Sequence, residues 1–178
     1  MKLLKTNIKD LYKINYKTHS DHRGDFHKIF AQELLKKNGI NLNISDQFYT
    51  ISNKDVLRGM HFQVPPHDHS KLVICLSGRI LDVVIDIRKN SQSYGSIFSI
   101  ELDSKCSEGL FIPSGFAHGF LSLSDNSGIL YNTNSSHSPS HDKGIKWNSF
   151  GFKWPIKDPI ISDRDDKHLR FDQFKSPF

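Results

Sequence analysis

The segment at residues 57–63 reads LRGMHFQ and places a guanidinium and an imidazole three residues apart in a stretch otherwise suited to burial. Side chains alternate between the two faces of a strand, so Arg58 and His61 share a face only where a bulge or twist breaks the alternation. Gly59 lies between them and permits such an irregularity. The segment therefore predicts an anion-binding group beside a potential general base.

Other parts of the chain supply the partners that a histidine base needs. They add a lysine, a second histidine, an aspartate, a tyrosine and an arginine. The segments are 21–24 (DHRG), 70–73 (SKLV), 111–121 (FIPSGFAHGFL), 130–131 (LY) and 159–165 (PIISDRD). Each has an ordinary structural explanation when taken alone, such as a lysine at the solvated start of a strand. Their occurrence in one chain favours a functional explanation.

Short strands must position these groups. Runs of apolar and β-branched residues bounded by Gly, Pro, Asn and Ser predict strands at 47–52, 71–76, 79–87, 96–102, 119–123 and 129–133. A helix is predicted at 29–37. Residues 135–178 are predicted to be loop-rich, with aromatic packing anchors at Trp147, Phe150, Phe152 and Trp154. Strands spaced in this way are typical of an antiparallel sandwich or barrel.

Length and composition predict one globular domain spanning residues 1–178. The net charge is +5, with basic residues scattered among acidic ones, which disfavours nucleic acid as a partner and favours a small anionic ligand. Cys75 and Cys106 have neither metal-binding nor redox spacing. No apolar run has the length of a signal core or a membrane span. A cytoplasmic protein with no membrane partner is therefore expected.

Together these segments resemble the dTDP-4-dehydrorhamnose 3,5-epimerase family, in the same order and at similar spacing from about residue 18 to residue 166. The runs PSGFAHGF and RGMHFQ are the most specific parts of the resemblance. It implies an all-β fold, namely a cupin-type jelly-roll β-sandwich with a short N-terminal helix and a loop-rich C-terminal segment. It also implies a homodimer that needs no metal or organic cofactor. The implied substrate is a 4-keto-6-deoxyhexose linked to a nucleotide, dTDP or CDP.

The resemblance implies a role for each of four residues. A ketone at C4 of the sugar acidifies the C–H bonds at C3 and C5, and epimerisation removes one such proton and returns it on the opposite face. His61 would be the base, with Asp165 orienting its ring and stabilising the imidazolium. Lys71 would stabilise the enolate charge on the C4 oxygen, and Tyr131 would be the acid on the far face.

A substrate-binding set is implied in the same way. Arg58, and Arg23 from the other subunit, would hold the diphosphate through the guanidinium fork. The other implied members, which line the nucleotide and sugar pockets, are Phe26, Lys28, Gln47, Tyr49, His118 and His137.

Three departures from the family pattern bear on recognition. The family's Gln-Asp-Asn segment is Gln47-Phe48-Tyr49 here, without the asparagine. Lys28 stands where the family has glutamate; a carboxylate accepts the N3–H of thymine, whereas an ammonium donates to the N3 acceptor of cytosine. Lys28 thus indicates a CDP-linked sugar, unless its side chain is solvated and neutral to the base. The family's tyrosine pair after Tyr131 is replaced by Ser136 and His137. A reshaped outer pocket could stop the reaction after one centre, so a C3-only or C5-only epimerase is an open alternative.

Three further alternatives lie outside this chemistry. Sugar cupins of similar build isomerise 3- and 4-keto groups by moving protons between carbon and oxygen, but the Arg-Gly-x-His motif with a distant Asp and Leu-Tyr fits epimerisation better. His67 and His69 form the His-x-His start of a metal-binding cupin motif, and His118 has the spacing of the second cupin motif. The carboxylate expected after the histidine pair falls on the apolar run 72–76, which disfavours this metal site. A non-catalytic sugar-nucleotide binding domain would need no His–Asp–Tyr set, so the presence of that set favours an enzyme.

Overall fold

The computed structural model describes all of residues 1–178 and consists mainly of β-strands. The strands are β1 (Lys2–Lys5), β2 (Tyr12–Asn15), β3 (Lys17–Asp21), β4 (Gly24–Lys28), β5 (Asp46–Ser52), β6 (Leu57–Gln63), β7 (Lys71–Ser77), β8 (Arg79–Asp86), β9 (Ile97–Asp103), β10 (Glu108–Ile112), β11 (Phe116–Ser122), β12 (Ser127–Thr133) and β13 (Asp142–Gly144). The helices are short: α1 (Gln32–Lys37), α2 (Asp163–Asp166) and a 3-10 helix at Phe171–Gln173. None of them has the length and apolar character to cross a membrane.

The strands form two antiparallel sheets and a separate hairpin. The first sheet has six strands in the order β1-β2-β10-β7-β12-β5, and the second has five in the order β13-β6-β11-β8-β9. The hairpin consists of β3 and β4, which pair with each other. This arrangement is a cupin-like β-sandwich, and it confirms the all-β class predicted from the sequence.

Apolar side chains from both sheets meet in the space between them. Val73 and Ile129 of the six-stranded sheet share a buried cluster with Val84 and Phe120 of the five-stranded sheet. Phe120 and Tyr131 belong to this core and also to the wall of a polar pocket. The core therefore fixes the position of residues that the pocket uses.

The outer face of the six-stranded sheet is covered by the N-terminal part of the chain. Leu35 of α1 is fully buried and clusters with Ile40, Leu42 and the β7 residues Leu72 and Ile74. The burial of Leu35 shows why a helix so short keeps its place, since packing of an apolar face stabilises helices more than propensity does.

The outer face of the five-stranded sheet is covered by the C-terminal segment. Phe150 is buried beside Met60 and Ile85, and Phe152 and Trp154 pack against the same cluster. Trp147 is buried next to Leu57 of β6. The four aromatic anchors predicted from the sequence are confirmed by these positions. The segment is otherwise irregular, apart from β13, α2 and the 3-10 helix.

Five predicted strands agree with β5, β7, β8, β9 and β12 to within two residues at each end. The helix prediction is wrong at its start, because Ala31 is extended, with φ −152° and ψ 97°, and α1 begins at Gln32. Strands β1 to β4 were not predicted. Strands β1, β3 and β4 are short and largely exposed, and their sequences lack the alternation of apolar and polar residues that marks a half-buried strand. Strand β2 does alternate and buries Ile14, but its four residues are too few to give a clear signal.

Candidate active site

A β-bulge in β6 places Arg58 and His61 on the same side of the sheet. His61 pairs with His118 of β11, but Arg58 pairs with Phe120, so β6 has one more residue than β11 between the two pairs. Gly59 occupies this irregularity with φ +133°, a backbone conformation that favours glycine. The bulge predicted from the sequence is therefore present. Its extra residue shifts the alternation of side chains along β6, so that Arg58 and His61 both face the pocket.

The pocket lies between the two sheets and has a volume of about 280 Å³. Most of its lining is polar. The residues that the two sheets contribute include Phe48, Lys71 and Tyr131 from the six-stranded sheet and Arg58, His61 and His118 from the five-stranded sheet. A ligand in this pocket would thus have one set of functional groups on each side.

His61 and Asp165 form a hydrogen-bonded pair. Nε2 of His61 lies 2.8 Å from Oδ1 of Asp165, and Oδ2 of Asp165 accepts from the backbone amide of Gly59 at 3.1 Å. Asp165 lies in α2, whose first turn is held by Ser162, since the Ser162 hydroxyl accepts from the Asp165 amide at 3.2 Å. The bulge and the short helix therefore meet at one carboxylate.

The surroundings of the pair favour a neutral His61 and a negatively charged Asp165. Burial lowers the pKa of His61, although the neighbouring Asp165 opposes that shift. Burial alone would raise the pKa of Asp165, but the rings of His168 and His61 and the Gly59 amide hold it well below its usual range. The arrangement is thus a neutral imidazole supported by a carboxylate, as a general base requires.

Arg164 adds a cation at the same point. Its Nη2 lies 2.8 Å from His61 Nε2, its Nε donates to Asp165 Oδ1 at 3.2 Å, and its Nη1 donates to Asp142 at 2.8 Å. A neutral imidazole nitrogen can either donate to Asp165 or accept from Arg164, but cannot do both. Arg164 and Asp165 therefore compete for Nε2 of His61.

Lys71 and Tyr131 come from the sheet opposite His61. Nζ of Lys71 donates to the backbone oxygen of His61 at 3.2 Å, and burial lowers the pKa of Lys71 to about 8. The Tyr131 ring stacks on Phe48 with centroids 4.9 Å apart. Burial, and then the negative charge of Asp82, raise the pKa of Tyr131, so its hydroxyl keeps its proton at neutral pH.

A second histidine–aspartate pair lies under the pocket. His118 and Asp82 are both buried, and His118 Nε2 lies 2.8 Å from Asp82 Oδ2. The His118 ring also meets the Tyr131 ring edge-on, with centroids 6.1 Å apart. Asp82 was not predicted as a site residue. The available signal was a carboxylate inside an otherwise apolar strand, where a buried charge needs a partner.

Arg58 and His137 complete the predicted residues that line this pocket. Arg58 is an exposed residue that donates from Nε to the Ser52 hydroxyl at 3.0 Å and from Nη2 to the backbone oxygen of Ile51 at 3.5 Å. The backbone amide of His137 donates to Asp46 at 2.9 Å, and its ring Nε2 lies 3.5 Å from Asp142. Both residues are well placed to contact a ligand.

The sequence profile of the dTDP-4-dehydrorhamnose 3,5-epimerase family matches residues 5–173. The chain belongs to this family of isomerases. A dTDP-4-dehydrorhamnose 3,5-epimerase from Shigella flexneri is 36% identical to it over 174 residues, which cover 96% of each chain. The resemblance inferred from the motifs is thereby confirmed.

Solved structures of similar proteins include epimerases of both kinds considered above. A dTDP-6-deoxy-D-glucose-3,5-epimerase from Legionella pneumophila, in complex with dTDP-4-keto-L-rhamnose, has a TM-score of 0.93 and 28% identity, with 98% of this chain and 94% of that chain covered. A 3'-monoepimerase from Streptomyces bikiniensis, in complex with dTDP-quinovose, has a TM-score of 0.87 and 27% identity, with 93% and 85% covered.

Three residues predicted to bind substrate lie outside the pocket of this epimerase-family chain. Arg23, Phe26 and Lys28 lie on the exposed β3–β4 hairpin and its turn. Arg23 is paired with Asp21, Nη2 to Oδ2 at 2.6 Å, and lines a shallow cleft on the hairpin itself. The structure does not bring these residues to His61 of the same chain.

Gln47 and Tyr49 also point away from the pocket. In β5 the side chains of Asp46, Phe48 and Thr50 line the pocket, whereas Gln47 bonds to Asn132 and Tyr49 is exposed. Sequence reasoning missed the three pocket-lining residues. The strand was predicted, but alternation alone does not say which of its two faces turns inward.

The histidines of the alternative cupin metal motif have separate partners. His69 Nδ1 lies 3.0 Å from the Gln63 amide, the His67 ring lies tilted against the His141 ring, and His118 pairs with Asp82. The group of side chains that could hold a metal ion is a different one, His61, Asp165 and His168, whose ligand atoms all lie within 4.8 Å of one another.

Replacement of Gly59 by alanine tests the bulge. A Cβ at Gly59 would lie 2.5 Å from Cα of Gly119 on β11, at a φ of +133°. We expect Gly59→Ala to destabilise the fold by roughly 3 kcal/mol, since backbone strain and steric overlap add. Thermal unfolding of the variant measures this loss.

Gly24→Ala is the matched control, because Gly24 has φ +115° and a Cβ added there would meet no atom within 4 Å. Its expected cost is backbone strain alone, about 1 kcal/mol. Equal losses in the two variants would contradict a bulge held by the close approach of β11.

Proposed function

We propose that the chain epimerises a nucleotide-diphosphate-linked 4-keto-6-deoxyhexose at C3, C5 or both, through an enolate. The observation that carries this proposal is the position of the two proton-transfer groups. His61 comes from the five-stranded sheet and Tyr131 from the six-stranded sheet, and both line one pocket. Inversion of a carbon centre needs a base and an acid on opposite faces of the sugar, which this arrangement supplies.

The steps follow from the chemistry of the ketone. His61 removes the proton from the carbon beside C4, and the C–H electron pair forms the enolate. Asp165 stabilises the imidazolium that results. The Lys71 ammonium stabilises the negative charge on the enolate oxygen. Tyr131 then gives its proton to the opposite face of the carbon, and exchange with solvent restores both groups, so the reaction needs no oxidant or reductant.

An enzyme acting at one centre is the second candidate. The tyrosine pair of the family is replaced by Ser136 and His137, and the Ser136 hydroxyl and His137 amide are both bound to Asp46. Polar residues in place of two aromatic rings change the outer edge of the pocket and with it how the sugar ring can turn to present its second carbon. A 3'-monoepimerase with this fold shows that the architecture accommodates reaction at one centre, although the 3,5-epimerases are as similar to the chain or more so.

We also propose that two copies of the chain form the enzyme. The β3–β4 hairpin is largely exposed and carries Phe26 with 63% of its surface exposed. The outer face of the edge strand β5 presents Tyr49 and Ile51 to solvent. Exposed apolar groups of this kind mark interaction surfaces. A two-fold dimer would let the hairpin of one subunit carry Arg23 and Lys28 to the pocket of its partner.

We place this enzyme in the cytoplasm, since both cysteines are free thiols. Its product would supply deoxysugar for bacterial surface polysaccharide. Neither nucleic acid nor a membrane is part of the proposal, and the scattered surface charge supports a small anionic substrate instead.

Solvent-deuterium exchange tests the reaction. The protein is incubated in D2O with dTDP-linked and CDP-linked 4-keto-6-deoxyglucose, and label at C3 and C5 is followed by NMR. We expect label at one or both carbons. His61→Asn should slow exchange by about 10³-fold, because it removes the base. His67→Asn is the matched control and should exchange at the wild-type rate. No label with either substrate would contradict the proposal.

The base of the nucleotide is tested at Lys28. If its ammonium donates to N3 of cytosine, the wild type should bind CDP more tightly than dTDP, and Lys28→Glu should shift that preference towards dTDP by about tenfold. Calorimetric titration of both nucleotides gives the ratio. Lys17→Glu, the cross-strand neighbour of Lys28, is the control with the same charge change. If the ratio of the affinities for CDP and dTDP is the same in Lys28→Glu as in the wild type, Lys28 does not select the nucleotide base.

Subunit mixing tests the dimer. Arg23→Ala and His61→Asn homodimers are each expected to be nearly inactive. After exchange of subunits, half of the dimers are mixed, and each mixed dimer has one intact site. We therefore expect recovery of about a quarter of the wild-type exchange rate. Absence of recovery in dimers shown by light scattering to be mixed would mean that the hairpin serves its own subunit.

A further inference from the structure

We propose that His61, Asp165 and His168 form a binding site for a divalent transition-metal ion such as Zn²⁺, and that the bound ion blocks the base. Two imidazoles and a carboxylate are a donor set that zinc accepts. The ligand atoms of the three residues lie within 4.8 Å of one another. This group is separate from the His67, His69 and His118 set of the cupin motif.

His168 contributes the observation that points to a ligand. Its Nε2 is shielded from solvent and makes no hydrogen bond of ordinary length; its one polar neighbour is the Asp165 carboxylate. The same atom lies 3.6 Å from Oδ1 of Asp165, and its ring meets the ring of His61 edge-on with centroids 5.6 Å apart. Buried polar atoms nearly always make close hydrogen bonds, so an imidazole nitrogen held 3.6 Å from a carboxylate with no closer partner needs an explanation. A metal ion would satisfy it.

Gly144 makes room for the His168 ring. A Cβ at Gly144 would overlap Nε2 and Cδ2 of His168. Gly144 is also the β13 partner of His61 in the sheet. The absence of a side chain at this position therefore allows the second histidine to reach the carboxylate that His61 uses.

The distances suit a zinc ion with small adjustments. Zinc lies about 2.0–2.2 Å from nitrogen and oxygen ligands in a tetrahedral site, which separates the ligand atoms by roughly 3.3 Å. Asp165 Oδ1 lies 2.8 Å from His61 Nε2 and 3.6 Å from His168 Nε2, so the two distances fall on either side of that value. The ligand nitrogens of His61 and His168 lie within 4.8 Å of each other, so binding of one ion requires the two rings to close towards it.

Arg164 lies where the ion would bind. Its removal should therefore strengthen metal binding, whereas removal of His168 should weaken it. Nη2 of Arg164 lies 2.8 Å from His61 Nε2, where the ion would bind, and it must move before an ion can enter. The Arg164 side chain is 57% exposed and also pairs with Asp142, so it can leave His61 while keeping one partner. The nearby charge of Lys71 further limits affinity. We expect micromolar binding rather than the much tighter binding of a structural zinc site.

Binding of Co²⁺ and Zn²⁺ to the purified protein tests the site directly. Cobalt in a tetrahedral site gives visible absorption bands, and calorimetry gives the affinity for zinc. We expect one ion per chain in the wild type. His168→Gln should weaken binding at least tenfold, and Arg164→Gln should tighten it several-fold. His67→Gln, which alters the His67–His141 pair, is the control and should bind as the wild type does.

Equal affinities in the wild type and His168→Gln would overturn the proposal, as would loss of binding in His67→Gln. Failure of Arg164→Gln to tighten binding would also count against it, because the ion would then lie away from His61 Nε2.

Inhibition, unlike binding, rests on the proposed function. Zinc should suppress deuterium exchange by the wild type, reversibly on chelation, and each variant is compared with its own metal-free rate. Exchange that continues with the site filled would refute the inference while leaving the epimerase intact. A filled site in a protein without metal-free exchange would instead refute the proposed function and support the site.

Discussion

The carboxylate of Asp165 is the constraint on which the rest of the site depends. One oxygen accepts from the Gly59 amide in the bulge and the other lies against the His61 ring. A hydrogen bond to a charged group contributes roughly 1.5–3 kcal/mol, so the two contacts together can hold an irregular strand in place. The same group that orients the imidazole thus also maintains the backbone geometry that brings His61 and Arg58 to one pocket.

The two histidine–aspartate pairs of the molecule differ in what they connect. His61 and Asp165 join a strand to the C-terminal segment, and the His61 side chain is 25% exposed. His118 and Asp82 lie in adjacent strands of one sheet and are almost wholly buried. The first pair can take up and release a proton. The second fixes the pocket floor, where the Asp82 charge helps to keep the Tyr131 hydroxyl protonated.

The sequence predicted those features that depend on residues close together in the chain. Gly59 indicated the bulge, the apolar runs indicated the central strands, and the family motifs indicated His61, Lys71, Tyr131 and Asp165, which do converge near one pocket. Other features depend on contacts between distant residues. Period-two alternation does not tell which face of β5 turns inward, so Phe48 was missed. Nothing in the charged run around Asp165 distinguishes Arg164 from its solvated neighbours.

The pairing of His61 with Asp165 joins residues 104 positions apart in the chain. Contacts of such high sequence separation slow the folding of small domains, because a long loop must close before they form. Both sheets can be complete before residues 163–166 dock against β6, because no strand of either sheet lies beyond β13. Docking of that segment brings Asp165 to the Gly59 amide and to the His61 ring at once, so the bulge and the imidazole gain their support together. A chain that has formed its sandwich but not docked this segment would be folded in most respects and chemically silent.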